Sequence, residues 1–265
     1  ENHKYLVDHI VGKDVVFPAA GSVSRAMYGF KQSRGEHNFD SEKIIVLEDL
    51  EFLHLAVFQK SVQDQLNMKG PIPLSLIEEG EGKYTLIQKD GTPVSKGHFY
   101  EPQLTQTREE NANLLNDVPP FEEFVNRCST KVGGNGVTAS QLYHRTDELG
   151  LKYGPNFQLV QNGRAGDNVG YARIKVDEDK SKLICHPAVL DACFHSIIGI
   201  GIANGDRQPL PNKIKRLIIG RGGYFPQGTI ICAADVIKHD LKNVVVNIYI
   251  YDEEKKPIAK IEEMD

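Results

Sequence analysis

The stretch CHPAVLDACFHSIIGIGIA, residues 185–203, has a helical pattern but is apolar on almost every side. A helix of this kind cannot lie on a surface with one face in water; it has to be surrounded. A curved antiparallel sheet wrapped around one long helix is the simplest arrangement that does this. The same stretch carries Asp191 and His195 at i and i+4, on one helix face, with His186 and Pro187 just ahead. Burying an unpaired carboxylate costs several kcal/mol or forces it to take up a proton. The pair is therefore either a satisfied structural contact or a carboxyl kept protonated for use, oriented by His195.

A similar entry occurs near the start of the chain, KDVVFPAAGSVSRAMYGF, where a strand-like run leads through Pro18 into a helix. Pro18 and Pro187 both fit a first helical position, where the missing N–H is not needed. Each helix is followed by β-rich runs: KIIVLEDLEFLHLAVF and KYTLIQKDGTPVSKGHFYE in the first half, GTIICAADVIKHD and NVVVNIYIYDEEKKPIAKIEEM in the second. KDGT and DEEKKP supply the turns. Between the halves lies a polar stretch that reads as a linker with one short helix, FEEFVNRC. The expected organisation is a duplicated α+β unit: residues 1–101, a linker over 102–135, and residues 136–265.

Charge narrows the function classes. With 31 Lys and Arg against 36 Asp and Glu, the net charge is −5, which gives no general nucleic-acid footprint. One local cluster, Lys213, Lys215, Arg216 and Arg221, is either solvated surface or a dock for an acidic partner. The four cysteines form no CxxC pair, so a zinc ribbon or redox motif is not supported and a reduced, cytoplasmic setting is expected. No basic-then-apolar leader and no membrane-length apolar run is present. A start at Glu1 and an end just after a strand-like run suggest a domain of a longer polypeptide.

Two further segments carry candidate chemistry. His9 lies nine residues before Pro18, a spacing that lets it return over a helix N-terminus. Ala19, Ala20 and Gly21 keep side chains small there, so backbone amides can approach a ligand and stabilise negative charge on a carbonyl oxygen. In ELGLKYGPNFQLV, Gly150, Gly154 and Pro155 bracket Tyr153. This is either a tight turn with core aromatics or a rigid loop holding a phenol and an amide beside a pocket. A metal use of His9, His186, Asp191 and His195 is disfavoured: there is no HExxH pair, and His186 precedes a proline.

Taken together, the three segments resemble the dehydratase domain of modular polyketide synthases and animal-type fatty acid synthases. The family pattern HxxxGxxxxP is similar to His9 through Pro18, GYxYGPxF to Gly150 through Phe157, and HPxxLDxxxQ/H to His186 through His195. Three positions depart from it: Lys13 stands where a glycine is usual, with Gly12 one place early; Leu151 replaces a tyrosine; Ala19 replaces a common glycine. LPNKIKRL is only loosely similar to the LPxxW segment, and the chain has no Trp.

The resemblance implies a double hot-dog fold and loss of water from a 3-hydroxyacyl thioester carried on the phosphopantetheine arm of an acyl carrier protein. In that reading His9 is the base and Asp191 the acid. The Ala19 amide polarises the thioester oxygen, Pro18 starts the helix, Tyr153 and Gly154 place the hydroxyl, and His195 fixes Asp191. No metal or soluble cofactor is implied. Acidic carrier proteins make the Lys213, Lys215, Arg216 and Arg221 cluster a candidate dock. The resemblance also implies neighbouring synthase domains as partners and leaves a homodimer open; nucleic acid and membrane are not expected. Double-bond isomerisation, oxa-Michael cyclisation and a silent structural domain are the alternatives on the same scaffold.

Overall fold

The computed structural model describes residues 3–35, 43–59, 74–100, 114–129, 135–204, 210–239 and 244–265. In chain order the first half contains strands β1 (His9–Val11) and β2 (Asp14–Val16), helix α1 (Ala19–Ser33), and strands β3 (Ile45–Phe52), β4 (Val57–Gln59), β5 (Leu74–Gly80), β6 (Lys83–Gln88) and β7 (Pro93–Tyr100). Helix α2 (Phe121–Ser129) follows, within the expected linker. The second half begins with β8 (Asn135–Thr138), helix α3 (Ala139–Glu148), β9 (Leu151–Tyr153), β10 (Val160–Ala165) and β11 (Val169–Val176). It continues with helix α4 (Pro187–Asn204), β12 (Lys213–Ile219), β13 (Gly228–His239), β14 (Val244–Tyr251) and β15 (Pro257–Met264). The rest of the expected linker, residues 102–113 and 130–134, lies outside the described residues, as do the side chains of Ile198 and Ile202.

Among the described residues eleven strands form one sheet in the order β5-β6-β7-β3-β12-β15-β14-β13-β11-β10-β8. The halves join in its middle, where β3 pairs antiparallel with β12 from Ile45↔Ile219 to Lys213↔Glu51. A second sheet, β4-β2-β1-β9, joins them again through β1 and β9. Helices α1 and α4 pack against each other, α1 against β5 to β7 and α4 against β10, β11, β13 and β14. This is an α+β double hot-dog architecture.

The apolar helix is enclosed as its composition demands. Ala188, Val189, Leu190, Ala192 and Cys193 have no solvent exposure. The middle of strand β13, from Ile230 to Ala234, is buried on both faces. Ile230, Cys232 and Ala234 belong to the main core. Ile231 and Ala233 point the other way, into a second cluster with Phe121, Phe124, Cys128 and Tyr251. Helix α2 thus covers the outer face of the sheet. It is held at its end by a bidentate pair from Arg127 to Asp235, both contacts 2.8 Å. Removing the fully buried Phe124 ring would leave a cavity and cost about 3–5 kcal/mol. Among the described residues, no helix is long and apolar enough to cross a membrane.

The two helix entries differ from each other. Pro187 is the first residue of α4, as its fixed φ favours. Pro18 instead sits one place earlier, as the N-cap of α1, with extended backbone and no side-chain cap. Helix α4 takes its cap from His186, whose Nδ1 accepts the Ala188 N–H at 3.2 Å. An accepting Nδ1 must be unprotonated, and burial keeps the ring that way by lowering its pKa to about 4, with Lys180 adding to the effect.

The sign of the linkage follows from that depression. In the unfolded chain His186 takes up a proton near the ordinary value of 6.5, whereas the folded protein resists until about 4. Its contribution to stability is therefore present above pH 6.5 and lost as pH falls toward 4. Between pH 7 and 4.5 that amounts to roughly 2–3 kcal/mol from this residue. In urea unfolding at the two pH values, His186→Asn should reduce the acid-induced loss by that order; an unchanged pH dependence would contradict the assignment.

Candidate active site

His9 opens strand β1 and lies opposite Tyr153 in the β1–β9 pairing, so this histidine of one half is held by a strand of the other. Strands β1 and β2 form a two-residue hairpin over Gly12 and Lys13, with Ile10↔Val15 and Val11↔Asp14 as flanking pairs. Gly12 has φ +64 at the first loop position, where a type II′ turn favours glycine. Its amide donates to Gly150 O at 2.7 Å. This accounts for the displaced glycine: the hairpin closes with glycine at 12 and leaves Lys13 in an ordinary conformation.

The His9 ring is buried, and its Nδ1 lies 2.8 Å from the Val16 carbonyl oxygen. A carbonyl can only accept, so Nδ1 carries the proton and Nε2 presents a lone pair. Burial lowers the His9 pKa from 6.5; the nearby Asp191 carboxyl, when ionised, opposes that shift without overcoming it. The ring is fixed edge-on to Tyr153 at 5.6 Å and tilted to Phe157 at 5.4 Å.

Asp191 and His195 meet on α4, with Asp191 Oδ2 3.0 Å from His195 Nε2, and both side chains are buried. The other ring nitrogen, His195 Nδ1, is buried with no hydrogen-bond partner among the described residues. A buried orphan N–H is costlier than an orphan lone pair, so the proton belongs on Nε2, donated to Oδ2. Asp191 is thereby oriented through one oxygen, leaving Oδ1 for other work. The His195 ring packs 4.3 Å from that of Tyr153, whose buried hydroxyl is held well above the ordinary phenol pKa.

These groups surround one cavity of about 160 Å³. His9, Ala19, Tyr153, Asp191 and His195 all line it, and Leu53, Leu55 and Leu210 form part of its wall while remaining substantially exposed. The small residues at the start of α1 have a steric reason. A Cβ on Gly21 would sit 2.7 Å from the Phe17 ring, which also lines the cavity. With Pro18 offering no side-chain cap, the first amides of α1 receive none, and Ala19 stands at the cavity wall. Among the described residues no group of three His, Cys, Asp or Glu side chains is arranged to hold a metal.

Not every expected residue joins the site. Pro18 and Gly154 do not line the cavity. The Gly154 N–H is already donated to Asp8 O at 2.7 Å, so this amide holds a strand rather than a hydroxyl. The basic residues Lys213, Lys215 and Arg216 lie on β12, each beside carboxylates of neighbouring strands. Lys213 is 3.8 Å from Glu51, Lys215 pairs with Glu263, and Arg216 is 2.7 Å from Glu48 and 3.4 Å from Glu262. Arg221 begins a short 3₁₀ turn, Arg221–Gly223. The residue type alone did not reveal His54, a cavity-lining histidine whose Nδ1 lies 2.8 Å from Pro93 O.

The arrangement puts an unprotonated imidazole nitrogen, an oriented carboxyl and the first residue of helix α1 around one apolar-walled space. Nitrogen-15 NMR of the neutral protein should find His9 as the Nδ1–H tautomer, titrating below pH 6.5. An Nε2–H tautomer, or titration above 6.5, would contradict this geometry.

Comparison with known proteins agrees with this architecture. Residues 124–265, more than half of the chain, match the family model described as polyketide synthase dehydratase N-terminal domain. A highly reducing polyketide synthase, resH of Aspergillus sclerotiorum, is 26% identical over 84% of this chain and 9% of its own length. A probable polyketide synthase of Dictyostelium discoideum is 24% identical over 75% of this chain and 7% of its own. The chain thus spans less than a tenth of the curated relatives it matches. Among solved structures, the dehydratase domain of a mycocerosic acid synthase-like polyketide synthase superposes with TM-score 0.74 at 15% identity, covering 99% of this chain and 86% of that one. Two variants of the CurK dehydratase described as inactive mutants also match. One has a histidine-to-phenylalanine change (TM-score 0.71, 19% identity, 98% and 86% covered). The other has an aspartate-to-asparagine change (TM-score 0.68, 18% identity, 98% and 87% covered).

Proposed function

Because the chain belongs to the polyketide synthase dehydratase family, we propose that it removes water from a 3-hydroxyacyl thioester carried by an acyl carrier protein, giving the 2-enoyl thioester. The observation that carries this reading is the pair His9 and Asp191 on one apolar-walled cavity, each oriented by its own hydrogen bond. His9 Nε2 takes the proton from the carbon alpha to the thioester carbonyl. The electron pair of that C–H bond becomes the new double bond, and the C–O bond to the 3-hydroxyl breaks. Asp191 Oδ1 gives its proton to the departing oxygen, so one water leaves. The Ala19 amide at the start of α1 polarises the thioester oxygen as charge develops there, a contribution of about 3–4 kcal/mol where comparable donors have been removed. His195 holds Asp191 by its other oxygen.

The two CurK variants support the reading by residue type, since each changes one histidine or one aspartate and is described as inactive. Substrate, carrier protein and neighbouring synthase domains are part of the proposal. Both reactive positions are filled and share one cavity, which offers nothing in favour of a silent domain.

With a 3-hydroxyacyl pantetheine thioester and mass-spectrometric detection of water loss, His9→Ala and Asp191→Asn should each lower kcat by at least about 100-fold. Full activity in both variants, or none in the wild type, would overturn the proposal. Because His9 stays neutral below 6.5, kcat/KM should hold as pH falls through that value and decline only below it. An acid limb centred above 6.5 would mean that another group is the base.

The basic strand β12 is kept as a proposed carrier contact of small effect, because Glu48, Glu51, Glu262 and Glu263 offset much of its charge. Arg216 is tied into that network, so the test is confined to the more exposed lysines. Lys213→Glu with Lys215→Glu should lower kcat/KM two- to five-fold for carrier-bound substrate and leave the free pantetheine thioester unaffected. An equal effect on both substrates would remove the dock.

A further inference from the structure

The residue just before His9 makes a specific contact between the two halves beside the site. Asp8 Oδ2 accepts two hydrogen bonds from Asn156, at 2.9 Å from its backbone N–H and 2.8 Å from its side-chain Nδ2. The Asp8 backbone oxygen accepts a third, from Gly154 N at 2.7 Å. Together they bind the chain immediately before β1 to the turn immediately after β9. The fit is close: a Cβ on Gly154 would lie 2.4 Å from Asp8 Cγ, so only glycine at 154 leaves room for the carboxyl. No cysteine stands in the junction, so no disulfide reinforces it.

The placement matters because β1 is only three residues long and lies in the small sheet between β2 and β9. Three residues of ladder are a weak hold on a side chain that must be positioned within a fraction of an ångström. His9 and Tyr153 are the facing pair at the end of this ladder, adjoining the clamp. The turn that Asp8 grips continues into Phe157, which packs on the His9 ring. Asp8 itself does not line the cavity.

We propose that Asp8 is a positioning residue: its three-bond grip on Gly154 and Asn156 locks strand β1 against β9 and so sets the direction of His9 Nε2. Charge on the accepting carboxylate strengthens the two bonds from Asn156. Loss of the grip leaves His9 in place chemically but free to drift by the ångström or so that costs about two orders of magnitude in rate. The inference rests on the proposed dehydration for its kinetic arm and on geometry alone for its structural arm.

The test compares wild type, Asp8→Ala and Asp8→Asn. Asparagine keeps an oxygen to accept both Asn156 bonds and loses only the charge; alanine removes both. Peptide-level hydrogen–deuterium exchange over residues 5–12 and 149–158 should accelerate at least tenfold in Asp8→Ala and less than threefold in Asp8→Asn. Exchange over β12 to β15 should stay unchanged in both. For dehydration, Asp8→Ala should lose 10- to 100-fold in kcat with KM within twofold, and Asp8→Asn should stay within about threefold of wild type. Unchanged exchange in Asp8→Ala, or equal kcat loss in both variants, would overturn the clamp. If wild type shows no dehydration the function proposal fails, while the exchange arm still decides the clamp.

Discussion

Strand β1 pairs with β9 across the junction between the two halves, with His9 facing Tyr153, and the candidate chemistry depends on that pairing. In the proposed reaction the base comes from the first half, and the acid stands on the apolar helix of the second. Neither half holds a complete constellation. What brings the parts together is a short antiparallel ladder, reinforced by the Gly12 hairpin and by Asp8, and seated beside a much larger sheet that is itself fused at β3–β12.

The buried helix explains why Asp191 and His195 are buried. A helix with apolar residues on all sides is stable only if enclosed, and enclosure removes water from around Asp191 and His195 as a by-product. The same burial lowers the His9 pKa, which keeps that ring unprotonated at neutral pH, while its Nδ1 is occupied by Val16 O. Folding energetics and catalytic preparation thus have a common origin. The cost shows in His195 Nδ1, a buried nitrogen left without a partner among the described residues.

Much of this architecture could be read from the chain. The enclosed helix, the strand–Pro–helix entry of the first half and the helix FEEFVNRC follow from patterning within single local segments, whereas no strand leads into Pro187; the roles of His9, Tyr153, Asp191 and His195 come from the motifs that carry the family resemblance. What escaped depends on residues far apart. Asp8 and Asn156 are separated by 148 positions, and nothing local marks their contact. The charges of β12 looked like an open basic cluster because their carboxylate partners sit on β3 and β15, at Glu48, Glu51, Glu262 and Glu263. The family resemblance implies Gly154 as a substrate contact, and a glycine beside a tyrosine gives no hint that Asp8 already uses its amide. Pro18 was one place off because a proline suits either N-cap or first-turn geometry.

The central claim is that His9 and Asp191, from different halves, act together on one bound substrate. A double-mutant cycle on dehydration measures this most directly, using kcat/KM of wild type, His9→Ala, Asp191→Asn and the combined variant. Residues that act as a unit are strongly non-additive. The double variant should therefore be no more than a few-fold slower than the slower single variant. Losses that multiply would show two residues contributing independently and would contradict the account.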